Sequence, residues 1–241
     1  MDCEEKNKER QLFEVNKKKD VLISIISHDL IGPLGSFKNL IDFLLENQNN
    51  ISKDEIINVL YEVKKSSYYM FDFVENILCW AKSNTIDNQP FKDIINLNEV
   101  VSNIEIFFKD IIKNKKIEIN KQINKDVLFK SDKNVIETTI RNLISNALKF
   151  SNENGKIDIQ FSQNNKKIII DIIDYGKGIE ENILEKLKNG ELRISTFGTN
   201  KEKGSGLGLG LCQEMLQKIG GKMEMQSEYG KGSKFSIIIE Q

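Results

Sequence analysis

Between Ile56 and Ala81 the apolar side chains return at alternating steps of four and three, through Ile56, Leu60, Val63, Met70, Val74, Ile77 and Ala81, with Ser67 the polar member of the series. Such a heptad repeat puts one continuous stripe along one side of an α-helix, and a stripe of this length needs a second apolar surface to cover it. Upstream, from about Glu4 to Glu46, Ile23, Leu30, Leu34, Phe37, Ile41 and Leu44 also recur at helical spacing. Pro33 interrupts that first helix: it has no N–H to donate and its ring crowds the preceding turn, so a bend is expected just after His28. The asparagines of ENQNN end the helix, and Ser52 with Glu55 forms a capping box that opens the next. Two helices joined by so short a turn make an antiparallel hairpin that cannot bury both stripes by itself. Pairing with a second copy, giving a dimeric four-helix bundle with His28 on its outer side, is one solution; packing on the downstream region is the other.

The periodicity changes after Lys82. The run KSNTIDNQP collects polar residues and one of the two prolines, and a domain boundary is expected there. Beyond it helical segments at about 97–113, 132–150, 180–188 and 206–219 alternate with strands near 115–121, 126–130, 156–162, 167–174, 222–227 and 233–240. KIDIQF and KKIIIDII, separated by a turn, read as a β-hairpin. The fold class is therefore multi-domain, α followed by α/β: a helical lead-in over 1–20, the hairpin over 21–85 and an α/β sandwich over 91–241. Residues 1–20 read either as the end of a coiled coil descending from an upstream module or as a solvated helix end.

Charge and cysteine usage narrow the partners. With 35 basic against 36 acidic side chains there is no overall field to hold nucleic acid or anionic lipid. Cys3, Cys79 and Cys212 fit neither a zinc spacing nor a disulfide framework, which suits a reducing compartment. No apolar run is long enough to span a membrane and the amino terminus lacks a signal-peptide core, so a cytoplasmic location is expected.

Four segments carry chemistry. His28, the one histidine of the chain, is followed by Asp29 in SHDLIGPL. A neutral imidazole has one nitrogen lone pair free to attack an electrophile, and a neighbouring carboxylate can fix its tautomer. RNLISNALKFS places Asn142, Asn146 and Lys149 on one helical face, beside Leu143, Ala147 and Phe150. Amide oxygen and ammonium there suit a magnesium–triphosphate group, since magnesium takes oxygen ligands and keeps its waters and phosphates. DYGKGI follows an apolar strand; Gly176 and Gly178 allow a tight turn and Asp174 offers an acceptor for the exocyclic amine of adenine. In GSGLGLGLC, Gly204, Gly206, Gly208 and Gly210 open a helix whose uncovered N–H groups can receive phosphate oxygens. Neither the P-loop spacing nor the motif order of a dinucleotide fold is present. Taken singly, each segment also reads as an ordinary helix face, strand-ending turn or helix start.

In this order the four segments resemble the phosphoacceptor box, the asparagine box and the two glycine boxes of sensor histidine kinases, and the resemblance covers nearly the whole chain. It implies a dimeric helical hairpin joined to a Bergerat-type ATP-binding sandwich, with a lid over roughly 189–205. It further implies that His28 is the phosphoacceptor and Asp29 its activating acid, that Asn146 ligates Mg2+ with Asn142 and Lys149 near the phosphates, and that Asp174 recognises adenine. ATP would phosphorylate His28, and the phosphoryl group would pass to an aspartate on a response regulator receiver domain.

Two departures stand out. Four residues beyond His28, where many relatives carry Thr or Asn to orient a water, this chain has Gly32, so weak or absent phosphatase activity is expected. ILEKLKNG lacks the family's lid phenylalanine, and Phe197 in STFGT is given no role. Two other functions compete: an ATP-hydrolysing conformational switch of the same fold, and a non-catalytic dimeric scaffold that binds ATP. The resemblance weighs against the first, because such ATPases carry a Glu four residues before the metal-binding Asn, where this chain has Asn142, an amide that cannot accept a proton usefully.

Overall fold

Alternation of apolar residues decides which way each strand of the second half faces, and one face is built almost entirely of isoleucine. The computed structural model describes residues 30–48, 50–83, 93–123, 128–164, 167–190, 198–199 and 206–240. The chain divides into two compact units between Phe73 and Val74.

In the first unit residues 30–46 (α1, containing Pro33) are helical, and α2 (Lys53–Ser83) starts there and continues into the second unit. The capping box forms as expected: Ser52 N and Oγ donate to Glu55 Oε2 at 2.9 and 2.7 Å, and Glu55 N donates to Ser52 Oγ at 3.3 Å. Ser67, the polar residue of the heptad stripe, satisfies its hydroxyl on Lys64 O at 2.7 Å. Along that stripe Leu60 and Val74 remain 52% and 38% exposed. Among the described residues no helix is long and apolar enough to cross a membrane.

The second unit continues with β1 (Asp93–Asn96), α3 (Leu97–Phe107), α4 (Lys109–Lys115), β2 (Glu118–Gln122), β3 (Leu128–Ser131), α5 (Lys133–Phe150), β4 (Lys156–Gln163), β5 (Lys167–Asp174), α6 (Glu181–Lys188), α7 (Gly208–Lys218), β6 (Gly221–Glu228) and β7 (Gly232–Glu240). A five-stranded sheet runs β2-β4-β5-β7-β6, with β2 and β4 parallel and the other pairs antiparallel; β1 and β3 form a separate antiparallel pair. Ile168, Ile170 and Ile172 of β5 align with Ile239, Ile237 and Phe235 of β7, and this face packs under the helices. Each such buried side chain stabilises the fold by about 1.5–3 kcal/mol relative to exposure. The opposite face is mixed: Ile169 pairs with Ile238 there, and Lys234 and Ser236 are both on Asp171. The result is an α/β sandwich with a mixed sheet.

Three details differ from the sequence reading. β1 was not anticipated, because four residues are too few for a periodic signal and the strand exists through its pairing with β3. The expected helix over 97–113 is two helices, broken at Phe108 (φ −93°, ψ 11°), whose side chain is buried in the core. The strand expected from 115 begins at Glu118, since Lys115 still ends α4 and Lys116 turns the chain in a left-handed conformation (φ 51°).

Candidate functional site

The site is assembled on one helix. Asp132 caps α5 by accepting from Val135 N at 3.1 Å, and Ile136, Ile140, Leu143, Ile144 and Leu148 bury its apolar side against the sheet. That orientation presents Asn142, Asn146 and Lys149 along the neighbouring face. Asn142 is 5% exposed and accepts from Asn146 Nδ2 at 3.1 Å, which turns the carbonyl oxygen of Asn146 the other way. Lys149 is partly exposed, with its ammonium 4.9 Å from the Phe150 ring.

Asn142 also joins the asparagine helix to the second glycine segment. A Cβ on Gly208, the first residue of α7, would lie 2.1 Å from Asn142 Nδ2, so only glycine admits this contact. Gly206 just before it adopts φ 73°, and no side chain caps the amino end of α7. The first N–H groups of that helix are therefore offered to an anion beside Asn142 and Asn146. Gly204, Phe197, His28 and Asp29 lie outside the described residues.

The other end of α5 holds the first glycine segment. Lys177 N donates to Phe150 O at 3.1 Å, and a Cβ on Gly176 would sit 2.1 Å from that same oxygen. Strand alternation sends Tyr175 outward, where its hydroxyl donates to Asp158 at 2.7 Å, and Asp174 inward, where it is 4% exposed. Burial pushes the Asp174 carboxyl up to about 6, against hydrogen bonds from Gly176 and Ser233 that favour the charged form. Gly176 N reaches Asp174 Oδ1 at 3.0 Å. A buried carboxylate held by hydrogen bonds from Gly176 and Ser233 at the end of a strand is of a type suited to accept from a planar amine.

Sequence reading missed the turn that backs this loop. Ser227 Oγ accepts from Ile179 N at 2.8 Å and lies 3.0 Å from Ser233 Oγ, while Gly230 N donates to Lys177 O at 2.7 Å. Gly178 (φ 67°) and Gly232 (φ 110°) are required there: a Cβ on either would lie 2.1 Å from a backbone oxygen, of Glu228 and Asp174 respectively. The spacing of Gly230 and Gly232 in EYGKGS is the signal that could have revealed it. A shallow depression of about 350 Å³ bordered by Asp174, Ser227, Gly232 and Ser233 opens at this loop, and its walls do not extend to Asn142 or Asn146. The expected residues thus form two groups linked by α5, one of Asn142, Asn146 and the start of α7, the other at the Asp174 loop. Among the described residues no three His, Cys, Asp or Glu side chains gather as a metal cluster.

Known proteins share this fold. Residues 131–241 match the family described as "Histidine kinase-, DNA gyrase B-, and HSP90-like ATPase". The chain is 31% identical over 239 residues to the sensor protein KdpD of Clostridium acetobutylicum, spanning 98% of this chain and 26% of that protein. It is 29% identical over 239 residues to the histidine protein kinase SaeS of Staphylococcus aureus (strain USA300), spanning 96% and 66% respectively. These relatives are therefore longer than the part matched. The fold superposes with a TM-score of 0.67 and 20% identity on the histidine kinase ThkA in complex with the response regulator protein TrrA, covering 100% of this chain and 67% of that one. Residues 131–241 thus match the histidine kinase-, DNA gyrase B- and HSP90-like ATPases, and the chain is similar over nearly its whole length to sensor histidine kinases.

Proposed function

We propose that this chain is a histidine autokinase that moves the γ-phosphoryl group of ATP to His28 and then to an aspartate of a response regulator. The observation that carries the reading is the double attachment of α5, through Asn142 to Gly208 and through Phe150 to the Asp174 loop, which sets a phosphate-binding end and a base-binding end on one rigid helix. Asp174 accepts from the adenine amine; Lys149 and the amino end of α7 receive the phosphates; Asn142 orients Asn146. A bound Mg2+, held by Asn146, would neutralise charge developing on the transferred oxygens. Asp29 holds one imidazole N–H of His28, leaving the other nitrogen to attack the γ-phosphorus in line with the departing ADP oxygen. Catalysis otherwise rests on positioning.

The half-exposed heptad stripe of α2 supports pairing of α1 and α2 as an antiparallel hairpin and of two hairpins as a homodimeric four-helix bundle. The domain limits are then 1–20, 21–85 and 91–241, the location is cytoplasmic, and an upstream sensor module is compatible with the longer relatives. Incubation with γ-labelled ATP separates the alternatives. Acid-labile, alkali-stable label on the protein supports the kinase; free phosphate without protein label supports the ATPase; tight ATP binding with neither supports the scaffold.

Two substitutions test the details. Gly208→Ala gains about 1 kcal/mol of helix propensity, yet overpacking against buried Asn142 costs typically about 1–3 kcal/mol, so a net loss of stability is expected. With Asn142 displaced, ATP affinity should fall about tenfold, as for loss of one charged hydrogen bond; unchanged melting and binding would remove Asn142–Gly208 from the site. Gly32 is exposed, with open space around its Cα, and offers no hydrogen bond to a water. Phosphorylated regulator mixed with this chain is expected to decay at its intrinsic rate. Rapid decay that disappears on changing Gly32 to Leu would refute this.

A further inference from the structure

Lys115 is 5% exposed at the end of α4, although its surroundings in KNKK read as a solvated charge run. Its ammonium donates to Leu148 O at 2.9 Å, Lys149 O at 3.2 Å and Ser151 O at 3.3 Å, the carbonyls that α5 leaves unpaired at its last turn, and to Thr199 Oγ1 at 2.8 Å. A buried cation is tolerated only with such a full set of oxygens, and the carboxyl end of a helix favours it. Thr199, on the connection between α6 and α7, is fastened to the same carbonyls: its N donates to Lys149 O at 3.1 Å and its hydroxyl lies 3.0 Å from both Lys149 O and Ser151 O. The remaining carbonyl of this turn, Phe150 O, points elsewhere and takes Lys177 N of the Asp174 loop.

We propose that Lys115 and Thr199 form a clasp that positions the nucleotide, by fixing the backbone between Lys149 on the phosphate side and the Asp174 loop on the base side. Neither residue touches the nucleotide; both act through the last turn of α5. The clasp sets the distance between the two halves of the site, so it matters to a ligand that must engage both halves and not to one that engages the base half alone. This rests on the ATP-binding reading above.

The test measures dissociation constants of adenosine, ADP and ATP for the full chain and for Thr199→Val, Thr199→Ser and Lys115→Met. Thr199→Val is expected to weaken ADP and ATP about tenfold, as for loss of one hydrogen bond to a charged group, while adenosine binding stays within about twofold. Thr199→Ser, which keeps the hydroxyl, should bind ADP as the parent does, and Lys115→Met should exceed Thr199→Val in the same direction. Equal weakening of adenosine and ADP, no weakening of either, or failure of serine to restore binding would each overturn the clasp. Should Lys115→Met not fold, the threonine pair decides. If the parent chain binds neither adenosine nor ADP, the nucleotide reading fails and the clasp fails with it.

Discussion

With His28 replaced by alanine, the chain is expected to take no acid-labile label from γ-labelled ATP while binding ATP with the parent's affinity. Loss should be complete because no other histidine exists in the sequence, and the acceptor nitrogen cannot be replaced by a methyl group. Binding should survive because the residues assigned to the nucleotide stand on α5, the loop after β5 and the start of α7. Asp29→Asn should slow labelling by roughly a hundredfold or more, the usual weight of a group that assists proton handling. Undiminished label on the alanine variant would place the acceptor elsewhere and end the autokinase reading as drawn. Label lost together with ATP binding would instead show that the substitution damaged the nucleotide unit.

What could be read from the sequence, and what could not, follows from the range of the interactions. The capping box at Ser52 and Glu55 involves residues three apart, and the alternation of KIIIDIID declares its buried face without reference to any neighbour, so both were legible. The glycines at 176, 178, 206 and 208 were recognisable as a set, although what each one avoids, such as Phe150 O for Gly176 and Asn142 Nδ2 for Gly208, is visible only in three dimensions. β1 escaped because its partner β3 is more than thirty residues away. Ser227, Gly232 and Ser233 escaped because their role comes from β6 and β7 closing over a loop that precedes them by about fifty residues. Lys115 is the sharpest case. Two basic neighbours, Lys113 and Lys116, argue for solvent, and only the convergence of α5's last carbonyls with Thr199 makes burial of its ammonium favourable.

Asp174→Asn should change binding and stability in opposite directions. At pH 8 the aspartate is ionised, and its buried oxygens accept from Gly176 and Ser233 and, in the function proposed here, from an adenine amine. Asparagine has a single acceptor oxygen; if that oxygen faces Gly176, its NH₂ meets the amine donor to donor. ATP affinity is expected to fall about a hundredfold, the upper range for a hydrogen bond to a charged group. Stability should rise instead. Burial holds the folded carboxyl at about 6 against an ordinary value of 3.8, so the folded state binds the proton more tightly than the unfolded chain does. Folding therefore takes up a proton between those values, and stability declines as pH rises through the window, levelling above about 6. The ionised group then costs roughly 3 kcal/mol, which the neutral amide escapes. The variant should melt several degrees above the parent at pH 8, at roughly 2–4 °C per kcal/mol for a unit of this size. At pH 4 the parent carboxyl is largely protonated when folded, and most of the difference should vanish. In the parent, ATP affinity should weaken as pH falls below about 6, because a protonated carboxyl offers a poorer acceptor. A variant that melts lower at pH 8 and still binds ATP like the parent would show that Asp174 serves packing alone. A residue kept in a buried, charged state at the expense of stability, whose neutral analogue folds better and binds worse, is held there for its ligand.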